Sequence, residues 1–502
     1  MGGAHRTGHC HRRDRQHPRL PVSHDANAGL SREVESEGLA AATTGSALSS
    51  AFATEGSATR PRLARLTPVL VAAVGFAGYA GWALLRHAEF QTGGYDLGIF
   101  EQAVRSYTEG RSPVSDLIAP GYLLPGDHFH PILVVLVPFY ALWRGPETLL
   151  VVQSLLLATS AIPVTRCAIR QLGQRCGTVT GVGYVLSYGL LTAASFDFHE
   201  ICFAVPLVAL CGEHLLSGRW NAAVLCALPL ILVKEDLPVT VAAVGVYLVL
   251  KRRLVLGSMT VLVGIGTSAL VVLVVLPALS ASGHYAFGDK FDAAALGAGL
   301  LTKAVTLLVL LAPTALLAVC SPLAILALPT LAWRFASSDT LYWQTGFHYD
   351  AVLVPIIFLA ALDGLGRLRA RARLPVITSG LVPVCASAMA AWSVLHLVPK
   401  VPQPLWTSAQ IRLVNDALAR VPDGVLVAAS NRLAPHLTNR DTVMLFPLSD
   451  RTRLPEWIVA AKPFVPWPAP AAQQQQQLTH LADDGYRVVV DDGVVEVLRR
   501  AG

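Results

Sequence analysis

Five short segments place ionisable side chains beside or inside long apolar runs. They are Tyr95–Gln102 (Asp96, Glu101), Gly126–Pro131 (Asp127, His128, His130), Phe196–Glu200 (Asp197, His199, Glu200), Lys234–Pro238 (Lys234, Glu235, Asp236) and Phe347–Asp350 (His348). Ionisable groups are costly in hydrocarbon, so they face a cavity or one another and mark candidate sites. Carboxylates and imidazoles at such places can move protons. Asp127, His128 and His199 are also candidate ligands for a divalent metal ion. Structural roles compete with these. Asp96 could cap a helix whose apolar stripe is Leu97, Phe100, Val104 and Tyr107, lying on the outer surface. Lys234 could pair with a carboxylate, Asp236 could cap the helix after it, and Phe196 and Phe198 could belong to an interfacial aromatic belt.

The elements that must carry these residues are mostly membrane spans. Of 502 residues, 53% are apolar and 14% charged, and the mean hydropathy is +0.51. That excludes a disordered chain and a disulfide-stapled secreted domain, and leaves too little charge to cover an ordinary soluble protein. Residues 1–65 are polar and basic and read as a disordered cytosolic tail, in which His9, Cys10 and His11 need no metal. Leu66–Leu85 carries no charge and has the length of a span. Apolar runs follow at 147–168, 177–195, 201–217, 219–233, 237–250, 254–279, 299–319, 322–333, 350–366 and 375–398. Pro131–Trp143, with Pro131 and Pro138, suits a re-entrant or interfacial piece.

With the tail inside and each run crossing in turn, eleven spans result. The clusters Arg166/Arg170/Arg175, Lys251/Arg252/Arg253 and Arg367/Arg369/Arg371/Arg373 then fall on the cytoplasmic side. The ionisable segments all fall on the outer side, as one outward-facing polar cavity would require. The first outer loop covers 87–146 and the transmembrane domain 66–400. Residues 401–502 read as a small extracytoplasmic α/β domain, with a helix near Leu413–Val421 and β-branched runs at Gly424–Ala429 and Tyr486–Val490. Trp467–Pro470 and Gln473–Gln477 read as a flexible spacer within it. The eight cysteines form no CxxC and read as small hydrophobes. There is no P-loop, HExxH or GxSxG motif, and the net charge of +6 follows topology, with no call for nucleic acid.

The order YDLGIFEQ (95–102), GDHFHP (126–131), DFHE (197–200), KED (234–236) and HYD (348–350) resembles an uncharacterised bacterial family of multi-pass membrane proteins, common in actinobacteria. The resemblance covers roughly 66–450, including the stretch from Ser430 and Asn431 to Arg440. That family is in turn similar to the GT-C glycosyltransferases, which draw on polyprenyl-phosphate sugars. The resemblance implies a GT-C-like transferase in the plasma membrane with a lipid-linked sugar as partner. Asp96 holds the position of the carboxylate after the first span, though without the adjacent acid GT-C loops often carry. It would act on the acceptor hydroxyl. Glu101, Asp127, His128, His130, Asp197, His199, Glu200, Lys234, Glu235, Asp236 and His348 would bind substrate, with a divalent metal as the one candidate cofactor. The alternatives are a transporter or flippase, whose ionisable residues would line up through the bilayer, and a non-catalytic envelope assembly protein working through residues 401–502.

Overall fold

The computed structural model describes residues 60–372, 380–397, 404–449 and 452–501. Residues 1–59 of the basic tail lie outside the described residues, and its last residues, from Arg60, already belong to the first helix, Arg60–Ala88. In lipid every backbone polar group must be satisfied within the chain, and helices do this alone. Among the described residues three helices are long and apolar enough to cross a bilayer: Arg65–Ala88, Pro146–Leu172 and Leu254–Leu279. Several other apolar runs are broken. The run 177–195 divides at Leu186 and Ser187 into Gln174–Val185 and Tyr188–Ala194. The run 219–233 is the helix Trp220–Ala227 followed by a 3₁₀ segment, Leu228–Leu232, that contains Pro229. The run 322–333 begins as the 3₁₀ segment Pro322–Ala327 before Leu328–Phe335. Proline lacks the N–H that would continue the ladder, so the second and third of these breaks are local consequences of sequence. The expected crossings are therefore not each one straight helix.

Without a hydrophobic drive between helices in lipid, small residues let backbones approach. Leu237–Leu250 and Leu254–Leu270 meet in this way. A Cβ on Gly257 would lie 2.7 Å from the Gly245 carbonyl oxygen, and one on Gly264 would lie 2.5 Å from that of Pro238.

The C-terminal domain is a five-stranded mixed sheet of β1 (Leu426–Ser430), β2 (Thr442–Phe446), β3 (Trp457–Ala461), β4 (Tyr486–Asp491) and β5 (Val495–Arg500), in the order β2-β1-β3-β5-β4. The first three strands run parallel, with Val427 opposite Val443 and Trp457. β5 runs antiparallel to both β3 and β4. Alternate residues serve two faces, as strand geometry dictates. Val427, Ala429, Val459 and Val497 join the core shared with the membrane half, together with Val414 and Leu418 of the helix Ser408–Leu418. Ala428, Met444, Ile458 and Leu498 form a second core under Leu478 and Leu481. The glutamine run is not a spacer. Gln473–Gln477 lies in the helix Ala471–His480 that covers this second core. Gln474, 2% exposed, donates to the carbonyls of Val465 and Ala469, and Gln477 exchanges bonds with both backbone groups of Leu448.

The helix Ile99–Thr108 forms where the apolar stripe predicts it. It does not lie free on an outer surface, because its polar face docks the C-terminal domain. Gln102 donates to the Val443 carbonyl at 2.9 Å, and Arg105 to those of Thr438 and Asp441 at 2.5 and 2.8 Å. Arg453 meets Asp116 at 2.8 Å beside it. The opposite end of the membrane half is basic. Arg166 and Arg170 hold the buried Glu213 at 2.5 and 3.0 Å, and Arg367 meets Asp363 at 2.6 Å.

Gly257→Val should force apart the two helices it joins. A lowered thermal midpoint in detergent is expected, from a loss of about 1–3 kcal/mol by overpacking. An unchanged midpoint would show that this approach is not tight.

Candidate functional site

All five ionisable segments send residues to one end of the membrane half, the end covered by the C-terminal domain. At the centre is Glu200, which is fully buried. Its carboxylate lies 2.7 Å from His199 Nδ1 and 3.0 Å from Lys234 Nζ. The His199 ring stacks on His348, with centroids 3.6 Å apart and planes 23° apart. Its Nε2 lies 3.8 Å from the Asp96 carboxylate. A second pair adjoins the first. His128 Nδ1 lies 2.6 Å from Glu235, which also accepts from the Phe129 backbone N–H and the Tyr285 hydroxyl, each at 3.1 Å. Phe287 stacks on His128 at 4.3 Å.

Buried side chains outside the cluster hold these loops in place. Gln153, on the helix Pro146–Thr159, accepts from the His199 N–H at 2.9 Å and donates to the carbonyls of Ala193, Phe196 and Asp197. Arg334, fully buried, pairs with Asp350 at 2.6 Å and donates to the carbonyls of Tyr342, Gln344 and Tyr349, which fixes the loop carrying His348. The turn that carries Asp96, Gly94–Gly98, is held from the C-terminal domain. Asn431 accepts from the Gly94 N–H through its carbonyl at 2.7 Å, and from the Tyr95 N–H through its side chain at 2.9 Å. A Cβ on Gly94 would lie 2.6 Å from that of Ala434, so this approach requires glycine.

Asp96 caps nothing. It lies inside the turn, and the helix that follows begins at Gly98 with no side-chain cap. Asp236 is likewise at a helix start without bonding to it. Asp197 accepts from the Gly93 N–H at 2.7 Å and lies 3.9 Å from Arg86. His130 is 2% exposed, edge-on to Phe100. Asp127 lies at the rim, 3.5 Å from the Tyr122 hydroxyl. Glu101 is not brought into this cluster. It is fully buried and bonded by the Tyr140 hydroxyl under the docked helix.

The charges settle by mutual pairing. Burial opposes ionisation of Glu200, but His199 and Lys234 outweigh it and hold its carboxyl well below the usual range. Glu235 is pulled down to about 2, chiefly by His128 acting against burial. The same pair raises His128 despite burial. Burial keeps His130 and His348 neutral, with His130 lowered to about 4. Asp96 moves the other way. Burial, then the neighbouring charges of Asp197 and Glu200, raise it well above the ordinary carboxylate value, and Lys234 only partly opposes them. Its side chain is still 35% exposed. The result is a solvent-reached carboxylate of raised basicity beside a neutral imidazole, an arrangement suited to accepting a proton from a hydroxyl.

Asp127, His128 and His199 do not form a metal-binding set. Among the described residues no three His, Cys, Asp or Glu side chains have the geometry to hold an ion. His128 Nδ1 and His199 Nδ1 already face Glu235 and Glu200. Tyr285, Phe287, Gln153, Arg334 and Arg86 were not apparent from sequence, and Asn431 was noted only within a stretch of resemblance. Arg334, next to an apolar run, carried the one usable signal, since a charge there needs a buried partner.

A raised carboxyl affinity means that the folded state holds a proton the unfolded chain has lost. Asp96 therefore costs stability as pH rises from about 4 through its folded value. Asp96→Asn should melt higher than the wild type at pH 7.5, with the gain vanishing near pH 4. A lower midpoint at pH 7.5 would contradict this electrostatic assignment.

No functionally curated protein matches the sequence. Among solved structures, ArnT from Cupriavidus metallidurans bound to undecaprenyl phosphate is similar over 89% of this chain and 99% of its own, at 14% identity and a TM-score of 0.56. The apo state of the same protein is similar over 85% and 98%, at 14% identity and a TM-score of 0.50. At that identity the likeness speaks for the fold alone, which this chain shares with ArnT. Residues 86–496 match the family described as "Predicted membrane protein (DUF2079)", and the chain belongs to that family.

Proposed function

We propose that this protein is a GT-C-like glycosyltransferase that takes sugar from a polyprenyl-phosphate donor at the outer face of the plasma membrane. The observation that carries this is the Asp96 carboxylate. It is basic, reached by solvent, and set 3.8 Å from His199 under a docked domain. Asp96 is the general base, and takes the proton of the acceptor hydroxyl as its oxygen bonds to the anomeric carbon, whose bond to the donor phosphate breaks and releases polyprenyl phosphate. Glu200 and Lys234 orient His199, and His348 packs against it. His128, His130, Asp197, Glu235 and Asp236 line the polar pocket, with Asp127 at its rim. Eleven crossings, an inner N-terminus and an outer C-terminal domain complete the reading. The separation of Arg166, Arg170 and Arg367 from the acidic and histidine cluster by the length of the helices supports this orientation.

A membrane-facing cleft supports a lipid donor. It has a volume of roughly 600 Å³ and is lined almost wholly by apolar side chains, among them Val71, Tyr79, Trp82, Val182 and Leu191. At its rim Trp82 donates to Ser195 at 3.2 Å, two positions before Asp197. Gathering of the ionisable residues at one end disfavours a conduction path through the bilayer.

The test is turnover of a panel of polyprenyl-phosphate sugars by purified protein, followed as loss of lipid-linked sugar. Asp96→Asn should lose about 100-fold or more. The acid limb of the wild-type rate profile should lie above the ordinary aspartate value of about 4. Folded protein that turns over no donor would overturn the proposal.

A further inference from the structure

Two arginines flank Asp197 and have more donors than acceptors. Arg86 ends the first membrane helix and is only 6% exposed. Its Nη2 donates to the Gln91 carbonyl at 3.1 Å and lies 3.9 Å from Asp197. Among the described residues nothing accepts from its Nε or Nη1, nor from Nη1 of Arg432, all of them buried. Arg432 follows Asn431 in the loop of the C-terminal domain that holds the Asp96 turn. Its proton affinity is lowered by burial and then by the Arg86 charge, and Asp197 only partly compensates, so the two guanidinium groups share one electrostatic environment. Two cations stand against one carboxylate whose own ionisation burial opposes. Buried guanidinium donors without acceptors are expensive, and the usual remedy is an anion.

We propose that Arg86 and Arg432 form a phosphate-binding site, and that its ligand is the phosphate of an isoprenoid lipid. The lipid assignment follows from helix geometry. Gly75, Tyr79 and Trp82, which line the apolar cleft, lie on one face of the first helix, and Arg86 continues that face one turn beyond Trp82. A chain lying in the cleft would deliver its headgroup to Arg86, with Arg432 closing over it from the C-terminal domain. The inference deepens the transferase reading and rests on it for the role of the lipid. It assigns the C-terminal domain a direct part in binding substrate, since one of the two cations belongs to that domain. His128, His199 and Lys234 each already face a carboxylate and are not needed to hold the phosphate.

The probes are farnesyl phosphate, inorganic phosphate and farnesol, titrated into purified full-length protein in detergent and read as binding isotherms and thermal shifts. Farnesyl phosphate should bind and raise the midpoint, inorganic phosphate should do so more weakly, and farnesol should not. Arg432→Gln should weaken farnesyl phosphate at least about tenfold, and Arg432→Lys should recover part of the loss. Arg86→Gln should act in the same direction, but its buried position risks misfolding, so the decision rests on Arg432. Asp96→Asn should bind farnesyl phosphate like the wild type while lacking turnover, which separates failure of this site from failure of the transferase reading. Wild-type affinity in folded Arg432→Gln would overturn the proposal. Equal binding of inorganic and farnesyl phosphate would overturn the lipid assignment.

Discussion

Burial of Glu200 is the constraint on which the site depends. A carboxylate with no exposed surface must be paired or protonated, and here Lys234 and His199 keep it ionised. That requirement ties the Phe196–Glu200 segment to the Lys234–Asp236 turn, which are separate in sequence and joined by apolar helices. It also sets the His199 ring, whose other nitrogen faces Asp96 and whose face rests on His348. Glu235 repeats the device with His128, and Arg334 repeats it with Asp350. Each such pair is weak evidence for stability, since desolvation offsets much of the attraction. Their value here is positional, because a paired buried charge tolerates few alternative arrangements.

Asp96 is the exception that gives this frame its purpose. Among the described residues no lysine or arginine pairs with it; it sits near two other carboxylates and keeps a third of its side chain in solvent. A carboxylate left in this way costs stability, and such costs concentrate where chemistry is done. The expense is localised by rigid surroundings. Gly93 and Gly94 admit the Asn431 loop at close quarters, and that loop holds the Asp96 turn through backbone bonds that no side-chain change in the turn would remove.

The membrane half and the C-terminal domain thus share one site. One face of the mixed sheet packs into the same core as the membrane helices, while the other is closed by the helix containing the glutamine run. The C-terminal domain is anchored to the helix Ile99–Thr108 by Gln102 and Arg105, directly beside the turn that carries Asp96. A shift of that domain would be felt at the carboxylate through Asn431.

Composition and local pattern by themselves determined the membrane class, the run of apolar segments, a small C-terminal α/β domain and the five segments in which chemistry could occur. These are local properties: hydropathy over one span, alternation over one strand, a charge beside an apolar run. Other local readings failed for the same reason. Strands β2 and β3 are largely buried, so they lack the alternation that marks a one-sided strand. The glutamines read as low complexity, yet two of them bond buried backbone. Tertiary structure alone decided which charges meet: that Glu200 takes Lys234, that Glu235 takes His128 and Tyr285, that Glu101 is spent on Tyr140, and that Arg86 and Arg432 come to flank Asp197. Pairing of buried charges is settled by distances of a few ångströms between segments far apart in the chain, and no spacing within the sequence encodes those distances.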